Sequence, residues 1–342
     1  MITDSLKKII SYSWKNKVVT AKSISLDLGL EKSTVSRNIS KLREKNILIK
    51  TDELSPSNLG GRKTIVYSFN EKLGHILGIS VEQDGIECVK TDLFSNVLDK
   101  KKIVQKINEK NIAFILREIV KENEDILGVG ISIPGIIENN TVVFSEALSL
   151  KNFNLENTLL LDIPIFVEKD SICGATRYSL ESKNIVYFQL SVPYYVNEPV
   201  GFGVGIVIDG KPYYGHSNFS GEYKLNKSIY NKKISYEEFL KKSVSLDEFF
   251  VDISKKIGQI SSILDPEIVV IGGNITLISG IENLRDFIVE QVYMYEHRKM
   301  EIVIEDAREF VNAEGAAINV LKNMFLKEEG IEYFCKKVIL NE

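Results

Sequence analysis

Two apolar runs, "ILGVGISI" (126–133) and "EIVVIGG" (267–273), set the strongest limit on what this chain can fold into. Each is short, rich in branched residues and closed by a turn, Pro134-Gly135 in one case and Gly272-Gly273 in the other. Runs of this length and composition read as buried strands. The flanking segments supply the helices that cover them. Ahead of the first run, residues 75–106 read as three short strands with tight turns, followed by an amphipathic helix in "NEKNIAFILREIVKEN". Beyond it, "PIFVEKD" is a strand that runs into the helix "SICGATRYSLE". The second half repeats the scheme with "NIVYFQL", the glycine-spaced "GFGVGIVIDGK", a long helix around "DEFFVDISKKIGQISSILD", and "EIVVIGG". Strands alternating with helices, twice over, imply two α/β lobes with a cleft between them.

The first 70 residues follow another pattern. Leu6, Ile9, Ile10 and Trp14 have helical spacing. After the break "KNKVV", Thr20 is placed to cap a helix "AKSISLDL", which Gly29 ends. The next helix, in "LEKSTVSRNISKLREKN", has an inner stripe of Val35, Ile39 and Leu42. Its outer face carries Lys32, Ser33, Thr34, Ser36, Arg37 and Lys41. This order is that of a helix-turn-helix, although a surface αα-hairpin gives it too. The strands "ILIKTD" and "KTIVYSFN" then form a β-ribbon whose loop ends in Gly60, Gly61 and Arg62. Paired glycines let backbone approach another surface closely, and an arginine at such a tip reaches a phosphate or a narrow minor groove. The expected unit is a winged helix-turn-helix over 1–70.

Charge agrees with that expectation. Residues 1–70 hold 13 Lys and Arg against 6 Asp and Glu, a net of +7, whereas the remainder carries −11. A basic head on an acidic body points to a polyanion meeting the head alone. The long apolar run needed to span a bilayer is missing, as is the apolar core of a secretion signal, so a cytoplasmic protein without a membrane partner is expected. Cys88, Cys173 and Cys335 are few, odd in number and far apart, which argues against a disulfide framework.

Over nearly its whole length the chain resembles the ROK family of repressors and sugar kinases, including its xylose- and N-acetylglucosamine-responsive repressors. The segments that carry the resemblance are "STVSRNISKLREKNIL", "GGRKTIVYSFNEKLGHILGI", "GVGISIPGII", "PIFVEKDSICGAT", "GVGIVIDGKPYYG", "SGE", "LDPEIVVIGG" and "AEGAAINVL", in family order. It implies a bilobed actin-like, sugar-kinase body behind the winged head, an α/β fold overall. The first lobe is expected over 71–183 plus 327–342, the second over 184–326, with the C-terminal segment "LKEEGIEYFCKKVIL" returning to the first lobe.

The departures from the family pattern concern chemistry. The first phosphate loop of the family reads Asp-x-Gly-Gly-Thr, and here the same place is "SVEQD", with Ser80 for the acid and Glu82 and Gln83 for the glycines. Side chains there obstruct the close backbone approach that phosphate needs, and an ionised Glu82 repels it. Asp170 stands where the kinases keep their general base, beside Lys169 in place of a sugar-contacting Asn. Lysine only donates hydrogen bonds, so the ligand differs or Lys169 pairs with Asp170. Glu222 of "SGE" matches a second sugar-binding carboxylate, and Gly135 lies at the turn beside them. For Asp170 and Glu222 a salt bridge or helix cap is the structural alternative. The zinc motif has Leu225 in place of its His, followed by "NKSIYNKKISYEEFLKK" without Cys or His, so no metal is expected. "VIGG" (270–273) is either a remnant of a nucleotide site or a tight turn.

These readings add up to a non-enzymatic transcriptional regulator, a repressor, that needs no cofactor. Its partners are duplex DNA bearing an inverted repeat, a sugar or sugar derivative as effector, and a second copy in a homodimer or dimer of dimers. A sugar kinase with a DNA-binding head and a ligand-independent DNA-binding protein are the alternatives.

Overall fold

The computed structural model describes residues 2–54, 63–192, 200–223, 246–278, 280–292, 300–306 and 310–340. The head begins with α1 (Asp4–Asn16), whose cap Thr3 accepts a hydrogen bond from the Leu6 amide. Strand β1 (Val18–Thr20) leads into α2 (Ala21–Leu28), and α3 spans Lys32–Glu44. Thr20 and Ser23 form a reciprocal capping box, which satisfies two otherwise orphaned amides at the start of α2. Gly29 closes that helix in the left-handed conformation expected of a helix-ending glycine. Strands β2 (Leu48–Leu54) and β3 (Thr64–Phe69) pair antiparallel. The expected break at "KNKVV" is instead the end of α1 and a third strand, because β1 adds to the free side of β3 and buries Val19. Ile9, Ile10, Ile24, Val35, Ile39 and Leu42 form the core under the three helices.

Each lobe of the body is built on a five-stranded sheet. The first has the order β11-β7-β4-β5-β6, from β4 (His75–Glu82), β5 (Gly85–Thr91), β6 (Val97–Val104), β7 (Ile126–Ile133) and β11 (Ile165–Lys169). A small sheet of β8 (Ile136–Glu138), β9 (Thr141–Ser145) and β10 (Leu150–Asn154) projects between β7 and β11. Helices α4 (Ile112–Lys121) and α5 (Leu155–Leu159) complete this lobe. The second sheet has the order β14-β13-β12-β15-β16, from β12 (Ile185–Ser191), β13 (Gly201–Ile208), β14 (Lys211–Pro212), β15 (Ile268–Gly272) and β16 (Glu301–Ile304). In both sheets an antiparallel trio joins a parallel trio through one shared strand, β4 or β12. The twofold repeat of the sequence is therefore a repeat of topology.

The last strand of each parallel trio feeds a helix that crosses to the other sheet. Helix α6 (Asp170–Tyr178) follows β11 and packs on β12 and β13 of the second lobe. On the second lobe α7 spans Leu246–Leu264 and α8 spans Asn283–Gln291. Helix α9 (Val311–Leu326) follows β16 but packs on β4 and β7 of the first sheet. The two helices touch where Gly315 meets the Cys173 carbonyl. Relative to the expected 183/184 boundary, α6 lies in the first segment and α9 in the second, yet each packs on the other sheet, because their small residues fit there. Ala313, Ala316 and Ala317 of α9 lie on Gly78 and Gly130, and Gly174 of α6 lies on the Tyr187 ring.

The C-terminal helix α10 (Glu328–Phe334) seals the head to the first lobe. Phe334 and Phe325 share one cluster with Phe69 and with Leu6 of α1. Trp14 stacks on Phe325 at 4.9 Å and its indole N–H donates to the Leu93 carbonyl at 2.8 Å. Lys7 reaches both Glu328 and Glu332 at 3.3 Å. Among the described residues, no helix is long and apolar enough to cross a membrane.

Candidate functional site

Two surfaces combine reactive or charged groups with exposure: the outer face of α3 and the cleft between the lobes. On α3, Lys32, Ser33, Ser36 and Arg37 are exposed, while Thr34 and Lys41 are half-buried at the edge of the helix. Ser33, Ser36, Arg37, Ser40, Lys41 and Glu44 line one shallow depression. Ser40 and Glu44 were absent from the sequence expectation, yet each continues a row of four-residue spacing that begins at Ser36. Asn38 points inward, donating to Ser5 Oγ at 3.1 Å. Gly60, Gly61 and Arg62 lie outside the described residues.

The cleft gathers the ends of β4 and β11 and the loop after β14. Asp170 opens α6, where the helix N-terminus favours an anion, and its Oδ1 accepts the Ser171 amide at 2.7 Å. Burial nevertheless outweighs this contact and, together with the Glu222 charge, raises its carboxyl to about 7. Glu82 at the end of β4 is pushed well above the carboxylate range, by burial first and then by Asp170 and Asp84. Two carboxyls that resist ionisation therefore share the cleft, near enough for the Asp170 charge to act on Glu82.

Lys169 does not pair with Asp170. Its side chain is 3% exposed, and its ammonium donates to Asn218 O at 2.6 Å, Glu222 Oε1 at 2.9 Å and Ser220 O at 3.4 Å. All three ammonium donors are spent on the second-lobe loop. Glu168, missed in the sequence, makes a parallel link, accepting the Tyr214 hydroxyl at 2.6 Å. Burial raises both groups of that pair. Consecutive residues of β11 thus clasp the loop 214–222, and Glu222 is engaged in the clasp. No local signal links Glu168 to Tyr214, which lies far along the chain.

Gly135 has a different partner. Its φ is +136°, and a Cβ there would sit 2.4 Å from the Phe144 carbonyl, so this glycine serves the packing of the turn on β9. In the phosphate-loop position, Gln83 and Asp84 form a two-residue hairpin between Glu82 and Gly85; the Gln83 carbonyl accepts the Ile107 amide and the Asp84 carbonyl the Gln105 amide. Ser80 is buried inside β4. At "VIGG", a Cβ on Gly272 would lie 2.0 Å from the Tyr187 hydroxyl, which donates to Glu305 at 2.8 Å. On the side to which a Gly272 Cβ would point, Tyr187 and Glu305 fill the space. Among the described residues, no group of three or more His, Cys, Asp or Glu is placed to hold a metal ion; Leu225 lies outside them.

Residues 76–223 match the ROK family. Curated relatives include xylose repressors of Bacillus spizizenii, 27% identical over 234 residues (64% of this chain and 57% of the repressor), and of Staphylococcus xylosus, 24% identical over 237 residues (65% and 60%). The matches therefore span less than two thirds of the length of those relatives. A solved ROK family transcriptional regulator, a homolog of the E. coli MLC protein, superposes with a TM-score of 0.69 at 17% identity, covering 96% of this chain and all of the other. A ROK glucokinase from Streptomyces griseus, solved with glucose and AMPPNP, gives 0.56 at 16% identity and covers 71% of this chain and 98% of the kinase.

Proposed function

We propose that this chain, a ROK family protein over residues 76–223 and a relative of xylose repressors, is a DNA-binding transcriptional repressor whose body senses a sugar and no longer transfers phosphate. The carrying observation is the outer face of α3, with its hydroxyls and cations exposed on a head of net charge +7. Three helices followed by an antiparallel ribbon support reading that head as a winged helix-turn-helix, in which the second helix of the motif enters the major groove. The solved regulator covers the chain through the head, whereas the glucokinase covers 71% of it. As a homodimer, the protein engages an inverted repeat, since two-fold symmetry in protein and site match.

The effector site in this reading is the cleft at Asp170, with Lys169 and Glu222 forming its wall and Gly135 supporting the neighbouring turn. A neutral carboxyl donates as well as accepts hydrogen bonds, which suits the hydroxyls of a sugar. The hairpin at Gln83-Asp84 and the Glu82 side chain oppose nucleotide binding by occupying the place where bare backbone would have to approach phosphate. A carboxyl titrating near 7 also suits a general base, and that observation favours a sugar kinase as the second reading. Thermal-shift titration of the full chain with sugars, sugar phosphates and Mg-ATP separates the two. Stabilisation by a sugar alone supports the sensor, and sugar-dependent ATP turnover refutes the proposed loss of chemistry.

A further inference from the structure

The outer face of α3 presents four cations, and the fold distinguishes among them. Arg43 lies over the Tyr67 ring at 6.0 Å, directed back to the head's own sheet. Lys41 is half-buried and Lys32 is the first residue of the helix. Arg37 occupies the middle, exposed, and among the described residues no hydrogen bond or ion pair engages it. Its neighbours on the surface, Ser33, Ser36 and Ser40, are small, so the helix backbone can sit deep in a groove with the guanidinium leading. The far end carries Glu44, hydrogen-bonded to Ser40 at 3.4 Å, which disfavours phosphate contact there.

The residue next to Arg37 narrows the reading. Asparagine is the usual reader of adenine and arginine the usual reader of guanine. Asn38 is 8% exposed and its amide is spent on Ser5 of α1. It is a structural link between α1 and α3 and cannot reach a base edge. We propose that Arg37 is the specificity-determining residue of the head and reads guanine O6 and N7, so that each half-site carries a G·C pair opposite the middle of α3. This rests on the head binding duplex DNA.

The test is enrichment of bound sequences from a random duplex pool by the full-length chain, in wild-type and Arg37→Ala forms. Wild type should enrich a two-fold site with guanine at one symmetric position. Arg37→Ala should lose about 5- to 150-fold of the preference there, as expected for a bidentate arginine–guanine pair, while keeping its melting temperature and its preferences elsewhere. Placing 7-deazaguanine at that position removes the N7 acceptor, and should weaken wild type but not Arg37→Ala. Undiminished guanine preference in Arg37→Ala, or equal sensitivity of both forms to 7-deazaguanine, overturns the assignment. If wild type enriches no sequence while remaining folded, the DNA-binding reading falls and this assignment with it.

Discussion

Replacing Asp170 with Asn should stabilise the protein, and more so as pH rises. The folded state holds the Asp170 proton to about pH 7, whereas the unfolded chain releases it near 3.8. Between those values the unfolded state binds fewer protons, so the wild-type residue costs stability as pH rises across the window. Asparagine keeps the shape and the acceptor for the Ser171 amide but never ionises. At about 1.36 kcal/mol per pH unit, the full window corresponds to an upper limit of roughly 4 kcal/mol. Asp170 is only half-buried, so relaxation and water reduce this to about 1–3 kcal/mol. For a chain of this size that is about 2–6 °C in melting temperature. Melting curves of both forms from pH 5 to pH 9 test it. The advantage of Asp170→Asn should grow between pH 5 and 7 and level off above. A constant difference across that range, or a less stable variant at pH 8, would refute the account of an Asp170 carboxyl that resists ionisation in the folded state.

Lys169→Met removes the buried ammonium that holds the loop 218–222. It should destabilise by about 2–4 kcal/mol, toward the lower end because Glu222 is 38% exposed and can rehydrate; an unchanged denaturation midpoint would contradict the clasp. Trp14→Ala removes the stack on Phe325 and the bond to Leu93. A loss of about 3 kcal/mol is expected, with faster proteolysis at the head–body junction, and wild-type resistance would show that the seam contributes little. Incubation with Mg-ATP and common hexoses or N-acetylhexosamines should yield no phosphorylated sugar. Turnover that disappears in Asp170→Asn would restore the kinase reading.

The periodic parts of the fold were legible in the sequence. Val35, Ile39 and Leu42 point inward as their spacing requires, Thr20 caps α2, and the doubled strand pattern became two sheets of one topology. Features that depend on contacts distant in sequence were not. The strand at Val18–Thr20 exists because β3 offers it an edge. The crossing of α6 and α9 depends on small residues meeting across the two sheets. At the cleft, the pairing of side chains was not legible in the residue types. Lys169 and Glu222 engage each other, and Glu168 finds Tyr214, only through the fold. Asn38 and Arg37, adjacent in sequence, have opposite fates because a helix turns about 100° per residue.

The central claim, that the head binds duplex DNA through its cations, is tested most directly by the salt dependence of binding. Fluorescence anisotropy of the full chain on a labelled duplex from its own promoter region provides the measurement. In the proposed reading Lys32 and Lys41 from each of two heads bring about four cations to phosphates, while Arg37 leads into the groove to a base edge. Release of that many counterions corresponds to a slope near −4 in log K against log salt, or about a 10²-fold loss of affinity between 50 and 200 mM. A steep slope of that order is the predicted result. Binding that is absent at 50 mM salt, or that is unchanged at 200 mM, would contradict the account.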